Sequence, residues 1–433
     1  MKNITPFQLA ILAIFSVTGI LGVIFLATFK VDPIPEEEKI GNVAIWGTYD
    51  GQVMRAWLQE LSKNNENLRG ISYRELSPTV FDREVLEALA EQRAPDLLLL
   101  DNTQLFDQYN RIFALDSSVL PRSQFRNTFL ELSEVYVVPE GVLGLPVFAD
   151  PLVMFWNRTM FQSEGEVKPP VSWQDFFRIL PIFTQVSDNL TISRTALPLG
   201  EAVNINHFKE ILMTLVLQAG NPVTQKGEFG YESVLSGSRA FPSGLQALQF
   251  FTEFSNPTKD SYSWNRSLPS SQDYFLAGKS AVYLGFASEI RPLQLKNPNL
   301  NFDVAEIPQS ASTESKSVYA KLYGLFIPSQ AQNKTGSYRA MSVLTSQDAL
   351  EKLQNIIKLS VVRRDLAAQT ASDDLFTDIF RREAIYAKTY IDPQDSTTNN
   401  ITGTMIETIT SGRRSIQEAI TLFDQEVQVL FNN

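Results

Sequence analysis

Ala94-Pro95-Asp96-Leu97-Leu98-Leu99-Leu100-Asp101-Asn102 is the stretch that decides the fold class. Four leucines are too few for a helix. They are apolar on both alternating faces, as a strand is when helices cover both sides of a parallel sheet. Toward the amino terminus, Val43-Ala44-Ile45-Trp46 is a second short apolar run, closed by Gly47. Between the two runs, Val53, Met54, Trp57, Leu58 and Leu61 recur at helical spacing. Ile71 and Tyr73 then alternate as in a strand, and Val85, Leu86 and Leu89 mark another helix. Strand, helix, strand, helix, strand predicts a parallel sheet with helices on both faces.

Toward the carboxyl terminus, Ser172 and Asp175 form a capping arrangement after Pro169-Pro170, ahead of Phe176, Phe177 and Leu180. Ser415 and Glu418 form a second one. Behind it Ala419, Ile420, Phe423, Val427 and Leu430 make a core-facing stripe. Helices rich in Leu and Phe dominate residues 173–254, so the middle of the chain is a more helical unit. No internal repeat interrupts the series.

The chain has 433 residues, 44% hydrophobic and 20% charged, which suits two or three folded domains. A net charge of −11 disfavours nucleic acid and other polyanions as partners. The absence of cysteine removes disulfides, thiolate metal sites and cysteine nucleophiles. His207 is the single histidine, so a multi-histidine metal site is excluded and any Ser–His–Asp triad would need that residue. No cofactor or metal is expected. Residues 7–29 carry no charge and are long enough to span a bilayer, and the residue two before Ala27 is Phe25, a poor fit to a small-x-small cleavage site. The expectation is an uncleaved signal anchor at 1–30, a linker at 31–41, and a single-pass protein of the cell membrane whose ectodomain lies outside.

The residues beyond the linker resemble family 1 extracellular solute-binding proteins, the maltose-binding-like receptors of ABC importers. Val43-Ala44-Ile45-Trp46-Gly47 is similar to that family's first strand, and Ala94-Pro95-Asp96-Leu97-Leu98-Leu99 to its later apolar strand. Gly144-Leu145-Pro146 through Phe155-Trp156-Asn157 resembles the stretch that crosses between lobes. Val171-Ser172-Trp173-Gln174-Asp175-Phe176 resembles a helix start of the family. Phe275-Leu276-Ala277-Gly278-Lys279-Ser280-Ala281-Val282 and residues 302–308 resemble a strand entry and the return crossing. Ser411-Gly412-Arg413-Arg414-Ser415-Ile416-Gln417-Glu418-Ala419 resembles the final helix. The resemblance implies an α/β, two-lobed, periplasmic-binding-protein-like fold of type II. Its first lobe would be 42–149 plus 309–359 and its second 150–308 plus 360–433, preceded here by one N-terminal transmembrane helix. Two departures stand out. Thr397-Thr398-Asn399-Asn400 occupies the place where sugar binders of the family often carry an aromatic, and the lipid-anchor cysteine is absent.

Ligands of open α/β sheets bind beyond the carboxyl ends of strands. That rule selects Trp46, Thr48, Asp50, Asp101, Asn102, Phe286 and Glu289. The resemblance adds Asn204, Asn206, His207 and Tyr323. Aromatic faces with carboxylate and amide neighbours answer the apolar C–H faces and hydroxyls of a sugar. The bland readings stand beside these. Trp46 next to a buried strand also reads as core, Asp50 and Asp101 as helix caps, and Asn204, Asn206 and His207 as loop residues. The expectation is that Trp46 and Phe286 face one water-filled groove from opposite lobes, with Gly285 leaving room for a flat ligand.

The function so implied is a monomeric extracellular receptor without catalysis. It would capture a small ligand, a sugar or oligosaccharide, and deliver it to the permease subunits of an ABC importer. The alternative is a membrane-anchored surface or adhesion protein that retains the fold without transport. An enzyme would need paired carboxylates, and nothing in the sequence singles out such a pair.

Overall fold

The computed structural model describes residues 40–227, 230–237, 244–310, 315–369 and 374–432. The expected span at 7–29 and most of the 31–41 linker lie outside them. Among the described residues no helix is long and apolar enough to cross a membrane.

The alternation read from the first third of the chain is present. It runs β1 (Val43–Gly47), α1 (Gly51–Ser62), β2 (Ile71–Glu75), α2 (Phe81–Ala90) and β3 (Leu97–Asp101). β1 pairs in parallel with β2 and β3, with Val43 opposite Ile71 and Ile45 opposite Leu97. Every residue of β3 is buried, as a strand covered on both faces requires. On α1 the residues Met54, Trp57, Leu58 and Leu61 are buried, and Trp57 Nε1 donates to the Ala349 carbonyl at 2.8 Å. On α2 the buried stripe is narrower than its spacing implies: Val85 and Leu89 are core, while Leu86 is 43% exposed.

The middle of the chain turns on β4 (Gly144–Asn157), fourteen residues of which only Trp156 is not buried. Its partners are β5 (Val282–Phe286), β6 (Phe302–Ala305) and β7 (Val318–Phe326), all antiparallel. β7 takes residues 144–151, whereas β5 and β6 take 152–157. β7 also pairs with β3, so one sheet runs β5-β4-β7-β3-β1-β2 from the second lobe to the first. β4 and β7 are the crossing strands.

In the lobe division that the resemblance implies, the second lobe would hold α3 (Trp173–Phe183), α4 (Phe208–Gln218), α5 (Asp395–Thr410) and α6 (Ile416–Asn432). Ser172 caps α3 through a reciprocal pair with Asp175, and Ser415 and Glu418 do the same before α6. Ala419, Ile420, Phe423 and Val427 are buried along α6. Thr398, one of the residues in place of the expected aromatic, lies in α5, and its hydroxyl meets Asp392 at 2.9 Å and Lys209 Nζ at 3.1 Å.

Candidate functional site

Register brings the site together. Asp101 on β3 stands opposite Tyr323 on β7, Tyr323 opposite Phe148 on β4, and Lys321 opposite Asp150. Side chains two apart in a strand share a face, so all five residues lie on one face of the crossing strands. Phe286 pairs with Leu152 and joins the same face. Phe148 and Tyr323 stack with centroids 4.5 Å apart and planes 16° apart. Tyr49, from the loop between β1 and α1, meets them at 4.8 and 5.3 Å. The Lys321 ammonium lies 4.8 Å above the Phe286 ring, at the border between the lobes.

Charge on this face is arranged with little direct pairing. Lys321 forms no ion pair among the described residues. Its burial works against the ammonium, but the fields of Asp101, Glu210, Asp395 and Asp150 outweigh this and raise its pKa. Burial pushes Asp150 up to about 6, against the opposing pull of the Ser288 N–H, 3.0 Å from Oδ1, and of Lys321. Beside them, Glu289 collects four donors. It accepts from Tyr283 Oη at 2.7 Å, Gln272 Nε2 at 2.7 Å and the Phe286 N–H at 2.8 Å, and meets His207 Nε2 at 2.7 Å. Among the described residues no three His, Cys, Asp or Glu side chains converge as metal ligands.

The residues expected from sequence fall into three groups. Asp101, His207, Phe286, Glu289 and Tyr323 belong to this face or its border. Asn102, Asn204 and Asn206 are structural ties. Asn102, fully buried, donates to Tyr319 Oη and the Tyr390 carbonyl and accepts from Leu322 N–H. Asn204 binds the Asn265 and Leu268 carbonyls and the Trp264 indole. Asn206 receives Gln272 N–H and Ser271 Oγ at a helix start. The third group stays on the first lobe away from the crossing strands. Asp50 caps α1 through Gln52 and Val53 N–H, and Thr48 Oγ1 donates to Gln104 Oε1 at 3.2 Å.

The expected pairing of Trp46 and Phe286 across a groove is not what the structure has. Trp46 is half-buried on β1 with the Arg74 guanidinium 4.6 Å above its ring, because Arg74 is its register partner on β2. Phe286 is 4% exposed, packed edge-on by His207 at 4.9 Å and covered by Lys321. Nor does Gly285 leave room for a ligand. A Cβ there would meet Tyr283 Cε1 at 2.6 Å and Glu289 Oε1 at 2.8 Å, so the glycine makes room for the protein's own carboxylate.

Phe148, Asp150 and Lys321 lie within strands and escape the strand-end rule, whereas Tyr49 falls inside the 46–50 run that the rule selects. A signal existed for two. Asp150 is the only charged residue in 141–157, and Lys321 the only one in 317–333. A lone charge inside a buried apolar strand costs free energy unless it is paired or hydrogen-bonded, so its presence marks the position.

No protein-family model matches the sequence, and no curated protein matches it. Solved structures do. A cyclo/maltodextrin-binding protein complexed with maltotetraose matches with a TM-score of 0.71 over 92% of this chain and 98% of its own, at 13% identity. The sugar-binding protein MalE from the phytopathogen Xanthomonas citri gives 0.71 over 90% and 97%, at 18% identity. A solute-binding protein of an ABC transporter from Thermotoga lettingae, bound with α-D-tagatose, gives 0.61 over 90% and 100%, also at 18%. At such identities the likeness is one of fold: the chain has the two-lobed α/β architecture of these binding proteins.

Proposed function

We propose that this protein is a solute-binding receptor that captures a small saccharide between its lobes and presents it to the permease subunits of an ABC importer. One observation carries the reading. Stacked Phe148 and Tyr323 rings, flanked by Asp101, Asp150 and Lys321, lie on strands that belong to both lobes. Rings match the C–H faces of a sugar, and the carboxylates and ammonium match its hydroxyls. The maltotetraose, tagatose and other sugar complexes among the similar folds support the same ligand class. In this reading the ligand touches both lobes only in the closed form, and binding shifts the population toward closure without catalysis. The test is titration calorimetry of the protein with maltose, maltotriose and mannobiose. Tyr323→Ala should weaken binding by about 1–3 kcal/mol. Saccharide affinity unmoved by Tyr323→Ala and Asp150→Asn would refute the site.

The protein acts in this reading as a monomer, held by its uncharged segment at 7–29 in the cell membrane with the ectodomain outside. Membrane fractionation with N-terminal sequencing tests this, and a soluble form beginning near residue 28 would overturn it.

The burial of Phe148 and Phe286 favours a second reading, a surface protein that keeps the fold without transport. It predicts no stabilisation by any sugar. A ligand at 100 times its dissociation constant would instead add about 2.7 kcal/mol.

A further inference from the structure

Away from the crossing-strand face, four half-buried rings converge from the two lobes. Phe106 and Tyr109 follow β3 in the first lobe, Tyr231 lies on a short strand of the second, and Phe431 is in the last turn of α6. Tyr231 and Phe431 stack with centroids 5.8 Å apart. Phe106 meets them edge-on at 6.2 and 5.1 Å, and Tyr109 meets Tyr231 edge-on at 6.2 Å. The rings border a cavity of about 680 Å³, the size of a small-molecule site.

Of the polar groups on its wall, Arg111, Gln394 and Asn432 are engaged within the protein, and two others are not. Among the described residues the Asp107 carboxylate accepts no hydrogen bond, although its backbone carbonyl takes one from Arg111. The Tyr231 hydroxyl likewise has no partner there. Lys226 Nζ stands 5.9 and 5.8 Å from the Tyr109 and Tyr231 ring centres and, among the described residues, reaches only the Tyr109 hydroxyl, at 3.4 Å. The rings pack on one another, and their outer edges form one wall of a hollow that also presents the Asp107 carboxylate, the Tyr231 hydroxyl and the Lys226 ammonium.

We propose that this cavity is a second saccharide site, separate from the crossing-strand face and bridging the lobes. A pyranose offers C–H faces to the Tyr231–Phe431 and Phe106 rings, and hydroxyls to Asp107, Tyr231 and Lys226. Phe106, Asp107 and Tyr109 come from one lobe, and Lys226, Tyr231 and Phe431 from the other. An occupant therefore favours the lobe arrangement that keeps both walls in contact with it. None of these residues belongs to the crossing-strand face, so the two sites are independent.

The experiment is calorimetric titration of the full chain with maltose and with mannobiose, read alongside the NMR signal of His207. That ring touches Phe286 and so reports on the crossing-strand face. Asp107→Asn and Phe431→Ala are each expected to weaken one binding event tenfold or more, with any sugar-induced shift of the His207 signal retained. Asp107 is exposed, so Asp107→Asn leaves the fold intact and reads the site even if Phe431→Ala does not fold. Isotherms unchanged by Asp107→Asn overturn the proposal, as does the loss of all binding heat in Tyr323→Ala or the absence of binding by both sugars.

Discussion

His207 Nε2 lies 2.7 Å from Glu289 Oε1, and the same imidazole stands edge-on to Phe286 with ring centroids 4.9 Å apart. Burial disfavours the imidazolium, but the Glu289 contact overrides it and holds the pKa above the ordinary 6.5. Glu289 is buried too, yet His207, Tyr283 and the Phe286 N–H keep its carboxylate below the ordinary 4.5. A raised histidine pKa gives stability that is whole below 6.5 and lost as pH rises through the folded value. A lowered glutamate pKa gives stability that is whole above 4.5 and lost as pH falls through the folded value. The pair therefore contributes most between these limits. With one histidine in the chain, a single set of imidazole signals should titrate with a midpoint above 6.5, and Glu289→Gln should bring it down. A wild-type midpoint at or below 6.5 would mean the contact is not maintained in solution.

Gly285→Ala tests the same arrangement from the backbone side. The new Cβ would press on Tyr283 Cε1 and Glu289 Oε1. Overpacking of this kind costs about 1–3 kcal/mol. Thermal melts should fall, and the His207 midpoint should fall with them as Glu289 is displaced. A lower melt with an unmoved midpoint would place the strain on Tyr283 instead.

Asp150 should work against stability at neutral pH. Its folded pKa of about 6 lies above the ordinary 3.8, so the folded state holds the proton more tightly than the unfolded one. Stability from this group is full below 3.8 and is lost as pH rises through about 6. Asp150→Asn keeps an oxygen for the Ser288 N–H and should stabilise the protein by roughly 2–3 kcal/mol at pH 7, with little effect near pH 4. Urea denaturation at the two pH values checks it, and equal changes at both would contradict the assignment.

Lys209 is a buried ammonium, 2.8 Å from Asp392 Oδ2 and 2.6 Å from Asp395 Oδ1, joining α4 to the start of α5. Lys209→Met would leave the Asp392 carboxylate buried without its cation. Breaking such a group from one side costs about 3–5 kcal/mol. The double change Lys209→Met with Asp392→Leu should recover much of the loss, and denaturant melts of the two variants measure both effects.

Trp46 and Tyr323 should separate cleanly. Trp46 sits under Arg74 on the first lobe, so Trp46→Ala is expected to cost about 1–2 kcal/mol of stability and to leave saccharide affinity unaltered. A loss of affinity as large as that of Tyr323→Ala would return Trp46 to the site.

The fold was legible because local patterns report local structure. Leu97 to Leu100 read as a doubly covered strand and Ser172 with Asp175 as a helix start, and both are present. Of the candidate site, Asp101, His207, Glu289 and Tyr323 could be named from the sequence, as strand-end residues or through the resemblance. Phe148, Asp150 and Lys321, and the meeting of all these residues on one face and its border, could not, because they depend on register between distant strands. Asp101, Phe148 and Tyr323 meet because β3, β4 and β7 are neighbours, and nothing near any of them in the chain records that. The asparagines at 102, 204 and 206 could not be assigned from sequence for a different reason. An amide that satisfies three buried partners and one that awaits a sugar are the same letter.

β4 runs unbroken through both lobes and carries Phe148 and Asp150 near its midpoint. The candidate seat and the pivot are therefore the same piece of backbone. Under rotation about a pivot, points close to it move least and distant points move most. A small twist imposed there by a ligand would swing the distant rims of the lobes through a wide arc, while Asp150 itself hardly moved. The outer faces of the lobes, far from any sugar, are then where occupancy would be most visible to another molecule.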